Sequence, residues 1–150
     1  DGRFNQYGSF GHYPLNRTTW WSEGLAEFIA HGQCFARGLD NVAGRPASDR
    51  PALADILHLD YDKGGEMVYS WSYTVHRFLS ETGRGASWLA MAQGLRNPDQ
   101  QQAMSAFEAE LDALIANDSE AYQQWLGREL LPWWEANKES EECKANDSAH

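Results

Sequence analysis

Along most of the chain, apolar side chains return every third or fourth residue, a spacing that predicts a protein built of helices. Trp21, Leu25, Phe28 and Ile29 fall on one face of a helix expected from Trp20 to His31. Thr18 or Thr19 is placed to cap it, and Gly32 to stop it. Met67, Val68, Trp71, Val75, Phe78 and Leu79 form the buried stripe of a longer helix, about Glu66 to Thr82, bounded by Gly64-Gly65 and Gly83. Trp88, Leu89, Met91, Ala92 and Leu95 mark another, ended by Asn97-Pro98. Asp99 can then cap a helix carrying Met104, Phe107, Leu111, Leu114 and Ile115. Asp118 or Ser119 is expected to cap a last one with Tyr122, Trp125, Leu126 and Leu130. Pro132 should kink or end that helix before Trp133-Trp134.

Between these segments the pattern breaks. Phe4, Tyr7, Phe10 and Tyr13 recur regularly, yet Gly2, Gly8 and Gly11 disfavour a helix, so residues 1–17 read as an extended or looped segment. Gly38 to Arg50 reads as a polar loop. Pro51 then suits the first turn of a short helix over Ala52–Leu59. From Lys138 onward the chain is polar and expected to fray. There is no internal repeat and no clear strand beyond the first segment. The fold class is mainly α.

Composition narrows the partners. Seven Trp among 150 residues argue for a core filled with large flat side chains rather than a disordered chain. No apolar run approaches the roughly 20 residues of a membrane span. A net charge of −10 weighs against nucleic acid, which needs clustered Lys and Arg, and fits a solubilising surface. Cys34 and Cys143 are far apart and outside any CxxC motif. They are compatible with a disulfide in a secreted protein or with two separate thiols.

The segment that carries chemistry is Thr19-Trp20-Trp21-Ser22-Glu23-Gly24-Leu25-Ala26-Glu27-Phe28. Glu23 and Glu27 are four apart, one turn above each other on the same helix face. An ordinary amphipathic helix with two exposed glutamates would show the same spacing. Here, however, Trp20, Trp21, Leu25, Phe28 and Ile29 surround the carboxylates with apolar bulk, where a charge needs a cation or strong donors. Gly24 costs up to about 1 kcal/mol in a helix relative to Ala, so its missing side chain implies that another backbone or an ion comes close.

This glutamate-bearing stretch resembles the third-ligand helix of the gluzincin metallopeptidases, which carry H-E-x-x-H on one helix and a zinc-binding glutamate on a later one. The resemblance is closest to the bacterial collagenases of the Vibrio and Clostridium type. Asp1-Gly2-Arg3-Phe4 resembles the stretch after the histidine motif of that family. Phe10-Gly11 resembles its glycine-rich segment between the zinc helices, and Asn16 to Gly24 the approach to the glutamate helix. Tyr69-Ser70-Trp71-Ser72-Tyr73 resembles a later aromatic-rich stretch of the catalytic domain. The likeness is clearest over residues 1–80.

The resemblance implies a secreted bacterial zinc metalloendopeptidase acting on collagen or another extended peptide, with Glu23 as a zinc ligand. Glu27 would orient a histidine ligand from outside the coordination sphere, or serve as a helix-packing hydrogen-bond partner. Tyr69 is a candidate donor to the oxyanion, or else the edge of a core stripe. Gly11 falls in a stretch that could form a cleft wall, and the backbone of residues 2–6 could bind calcium. His76, two turns beyond Tyr69, is either an electrophilic donor or, more ordinarily for a lone helical histidine, structural. Residues 1–83 would be the distal part of the catalytic subdomain, 84–138 a helical helper subdomain and 139–150 a polar tail. None of the five histidines, His12, His31, His58, His76 and His150, forms an H-E-x-x-H motif. The expectation is a piece that begins just past the zinc-binding histidines and is inactive alone. The competing reading is a non-catalytic helical interaction domain that uses Trp133 and Trp134 as exposed contacts.

Overall fold

The computed structural model describes residues 16–59, 61–96 and 101–148, and among these every regular element is helical. Helix α1 spans Asn16–His31, α2 Ala36–Ala43 and the short α3 Leu53–Leu57. A π-helical segment over Glu66–Trp71 runs into α4 at Ser72–Glu81. Then come α5 at Gly85–Leu95 and the long α6 at Gln101–Trp125. A second π segment, Leu126–Leu130, leads into α7 at Leu131–Asn137, and α8 spans Glu141–Ser148.

Helix α4 is the centre. Every residue from Ser72 to Leu79 is buried, so neighbours cover it on all sides. Its polar groups are paired accordingly, as burial requires. Thr74 Oγ1 donates to the Trp71 carbonyl at 2.6 Å and shares a 2.7 Å hydrogen bond with the Tyr122 hydroxyl. Arg77 donates to Glu81 at 2.6 Å and to the Gln33 carbonyl at 2.8 Å, with its guanidinium 4.4 Å from the centre of the Trp133 ring. Trp20, Trp71, Phe78, Phe107, Leu111 and Tyr122 belong to one continuous apolar core.

The expected stops hold where a left-handed residue is needed. Gly32 has φ 59° and Gly83 has φ 77°, conformations that cost glycine little. The stripe of Val68, Trp71, Val75, Phe78 and Leu79 is buried as the spacing predicts, with Met67 packed at its edge.

Four expectations are corrected. Gly38–Arg50 is not a continuous loop, because α2 occupies its first part and turns Leu39 and Val42 into the core. Thr18 and Thr19 lie within α1, Asn16–His31, instead of capping it. Asp118 and Ser119 do not start a new helix. Asp118 is bound by Arg84 at 2.8 Å and Ser119 donates back to the Ile115 carbonyl at 2.6 Å, so neither breaks α6. Pro132 neither ends the helical path nor precedes exposed tryptophans. The π segment widens the coil just before it, making room for a ring that would otherwise strike the carbonyl four residues back. Trp134 is buried and donates to Asp40 at 3.0 Å, and Trp133 is partly buried against the Arg77 guanidinium.

The C-terminal stretch also carries a helix, α8, that its polar composition does not predict. Cys34 and Cys143 form a disulfide, with 5.1 Å between their α-carbons, that fastens α8 beside the start of α2. Ser140 Oγ accepts from the Cys143 amide at 3.2 Å, an N-terminal cap for the same helix. Asp99, expected as a cap, lies outside the described residues.

Candidate functional site

The site is built on α1, whose placement rests on Gly24. An added β-carbon there would sit 2.5 Å from the Ser72 carbonyl oxygen, so α1 and α4 touch backbone to backbone. The close approach inferred from the missing side chain is therefore that of a neighbouring helix. Three residues earlier, Trp21 is wedged among the rings of Trp88 (5.2 Å), His76 (4.9 Å) and Trp20 (5.5 Å). At its far end, the Gly32 carbonyl accepts a 2.6 Å hydrogen bond from the Tyr73 hydroxyl, whose pKa burial pushes up to about 12. The helix is held at both ends and in the middle.

Glu23 and Glu27 are both half-buried on this helix. The Tyr61 hydroxyl donates to Glu23 Oε2 at 2.6 Å. Glu27 Oε1 lies 3.1 Å from His31 Nε2, one turn further on. Glu27, His31, Phe35, Asn41, Glu66 and Tyr69 are among the residues lining a cavity of about 590 Å³ between α1, α2 and the first π segment. Glu23 is not in that lining; it stands one turn toward the start of the helix.

The π segment explains how Tyr69 reaches this cavity. Ser70 accepts from Asn41 at 3.0 Å, the Trp71 indole N–H donates to Glu66 at 3.2 Å, and Ser72 and Tyr73 are fully buried. Of the five residues Tyr69–Tyr73, Tyr69 alone is exposed, at 38%. Tyr69 lines the cavity on the wall that also carries Glu66.

His76 is a structural residue in this arrangement. It is fully buried, its Nε2–H donates to the Trp21 carbonyl at 3.0 Å, and its Nδ1 accepts from the Trp88 indole at 3.1 Å. Burial lowers its pKa to about 4. Gly11 and the backbone of residues 2–6 lie outside the described residues. Tyr61 was invisible to spacing arguments, because 38 residues separate it from the carboxylate it binds and no local pattern links them.

A peptidase family model described as Collagenase matches residues 1–125. The chain belongs to that collagenase family. It is 34% identical over 82 residues to a microbial collagenase of Vibrio alginolyticus, covering 54% of this chain and 10% of the relative. It is 30% identical over 129 residues to a microbial collagenase of Vibrio parahaemolyticus, covering 76% of this chain and 15% of the relative. A Vibrio vulnificus microbial collagenase is 30% identical over 82 residues. The matched chain spans 10–15% of the length of the first two relatives. No solved structure matches it.

Among the described residues, no three His, Cys, Asp or Glu side chains are grouped so as to hold a metal ion. Glu23 offers a half-buried carboxylate already oriented by a donor, on a helix that cannot shift without displacing Ser72.

Proposed function

We propose that this chain is part of a zinc metalloendopeptidase of the microbial collagenase type and that Glu23 is the protein's glutamate ligand to the metal. The observation that carries the reading is the placement of Glu23. It sits within the collagenase-matched segment, on a helix locked against α4, with its carboxylate held by Tyr61. The remaining ligands would come from residues outside those described. A bound zinc supplies Lewis-acid polarisation of a peptide carbonyl and of the attacking water.

The chain's own residues have separate tasks. Glu23 holds its carboxylate at a fixed point and contributes one negative charge to a cationic centre. Glu27 keeps a carboxylate one turn away, 3.1 Å from His31 Nε2, and would orient a histidine ligand supplied by the rest of the protein. Tyr69 presents a phenol to the cavity, where it can donate to an oxygen that gains charge during peptide hydrolysis. The cavity beside Glu27 is large enough for part of an extended peptide, and collagen is the substrate that the relatives' name supports. The Cys34–Cys143 disulfide fits an oxidising, extracellular setting.

In the intact parent enzyme, Glu23→Gln should abolish both zinc retention and peptide hydrolysis while leaving the helices folded. Full zinc occupancy in that variant would refute the ligand assignment. This chain alone should show no tight stoichiometric zinc binding. Isothermal titration finding a single tight site would overturn the view that its ligand set is incomplete.

A further inference from the structure

We infer that Tyr61 is a positioning residue for the metal centre: its phenol fixes one oxygen of the Glu23 carboxylate and leaves the other to the metal. The inference rests on the reading of Glu23 as a ligand and adds a residue that the motif does not contain.

The geometry is specific. Tyr61 opens a short 3₁₀ turn, Tyr61–Lys63. Before that turn, Leu53, Ile56, Leu57 and Leu59 are all buried in the core, so the chain leaves α3 from an anchored point. After it, Gly64 adopts φ 92°, and its carbonyl accepts from the Val68 amide at 3.1 Å as the chain enters the first π segment. The turn is thus pinned on both sides. From it the phenol reaches Glu23 Oε2 at 2.6 Å, a short, charge-assisted hydrogen bond, although the residue is 60% exposed. Tyr61 is not part of the apolar core, so its ring adds little there. Its hydroxyl, by contrast, determines the orientation of the carboxylate.

That orientation bears on metal binding. A carboxylate can bind through one oxygen or both, and a phenol that occupies Oε2 favours binding through Oε1 alone. Removing the hydroxyl frees the carboxylate to rotate and to bind with both oxygens. Hydrogen-bonding partners of metal ligands typically change affinity by about 10–100-fold when removed.

The test uses the intact parent enzyme with Tyr61→Phe, which keeps the ring and deletes the donor. Zinc affinity is measured by chelator competition, and coordination is read from the visible absorption of the cobalt(II)-substituted enzyme. The unfolding midpoint is taken on metal-free protein. The expected result is a zinc dissociation constant raised about 10–100-fold, an altered cobalt spectrum, and a metal-free unfolding midpoint close to wild type. Unchanged zinc affinity and cobalt spectrum would overturn the inference. So would weakened zinc binding with a matching loss of metal-free stability, because the role would then be structural. Glu23→Gln run alongside separates the two proposals. If it keeps zinc, the ligand reading fails. If it loses zinc while Tyr61→Phe binds like wild type, only the role of Tyr61 fails.

Discussion

Acidification from pH 7 to pH 5 should weaken this fold through His76, and the structure gives both the sign and the size. The ring is fully buried among Trp20, Trp21 and Phe28, donates through Nε2 and accepts through Nδ1. A second proton would have to go onto Nδ1, where it would break the Trp88 hydrogen bond and place a cation in an apolar nest. Burial therefore lowers the pKa to about 4 from the ordinary 6.5. Between those values the unfolded chain binds a proton that the folded chain refuses. The stability contributed by neutral His76 is complete above pH 6.5 and is lost as the pH falls toward 4. The loss between pH 7 and 5 comes to about 2 kcal/mol, and the full shift to about 3 kcal/mol. Urea unfolding at pH 7, 6 and 5 would measure it, with His76→Gln as the reference. Glutamine keeps one donor and one acceptor but does not titrate, so its stability should fall by about 2 kcal/mol less over that range. An NMR titration that found native His76 protonating near 6.5, or a glutamine variant with the wild-type slope, would refute the reasoning.

Two further perturbations address the frame that holds the site. Gly24→Ala gains up to about 1 kcal/mol of helix propensity but drives a β-carbon into the Ser72 backbone. Because backbone cannot step aside, a net loss of about 1–3 kcal/mol is expected; a raised melting temperature would show that α1 and α4 are not in close contact. Replacing both Cys34 and Cys143 with Ala releases a loop whose ends are 109 residues apart and should cost about 2–5 kcal/mol. Identical denaturation midpoints for the oxidised and reduced wild-type protein would argue that the bridge adds nothing.

What could be read from sequence followed from where the information is local. The stripe from Val68 to Leu79 and the stops at Gly32 and Gly83 depend on spacing and on glycine's access to positive φ, and both were legible. Helix α2 was not, because its eight residues include Gly38, Asp40 and Asn41, poor helix formers that are overruled by burial of Leu39 and Val42. The run of α6 through Asp118 depends on Arg84, 34 residues earlier, a partner no window can see. In the site, the carboxylate pair and its glycine could be found from the motif. The tyrosine that orients Glu23 could not, since the contact exists only once α3 has carried residue 61 back to α1. The exposed pair at Trp133-Trp134 was misread for a related reason: Arg77 and Asp40, which cover these rings, come from α4 and α2.

The Cys34–Cys143 bond also has a topological consequence. It encloses most of the chain, so a single backbone cut anywhere between residues 35 and 142 leaves two pieces that sulfur still joins. Nicking and loss then become separate events. A clipped loop, such as the polar turn around Ala47–Asp49, would leave the helix bearing Glu23 tied to the helices that brace it. On gels the nicked molecule would run as one species until a reductant is added.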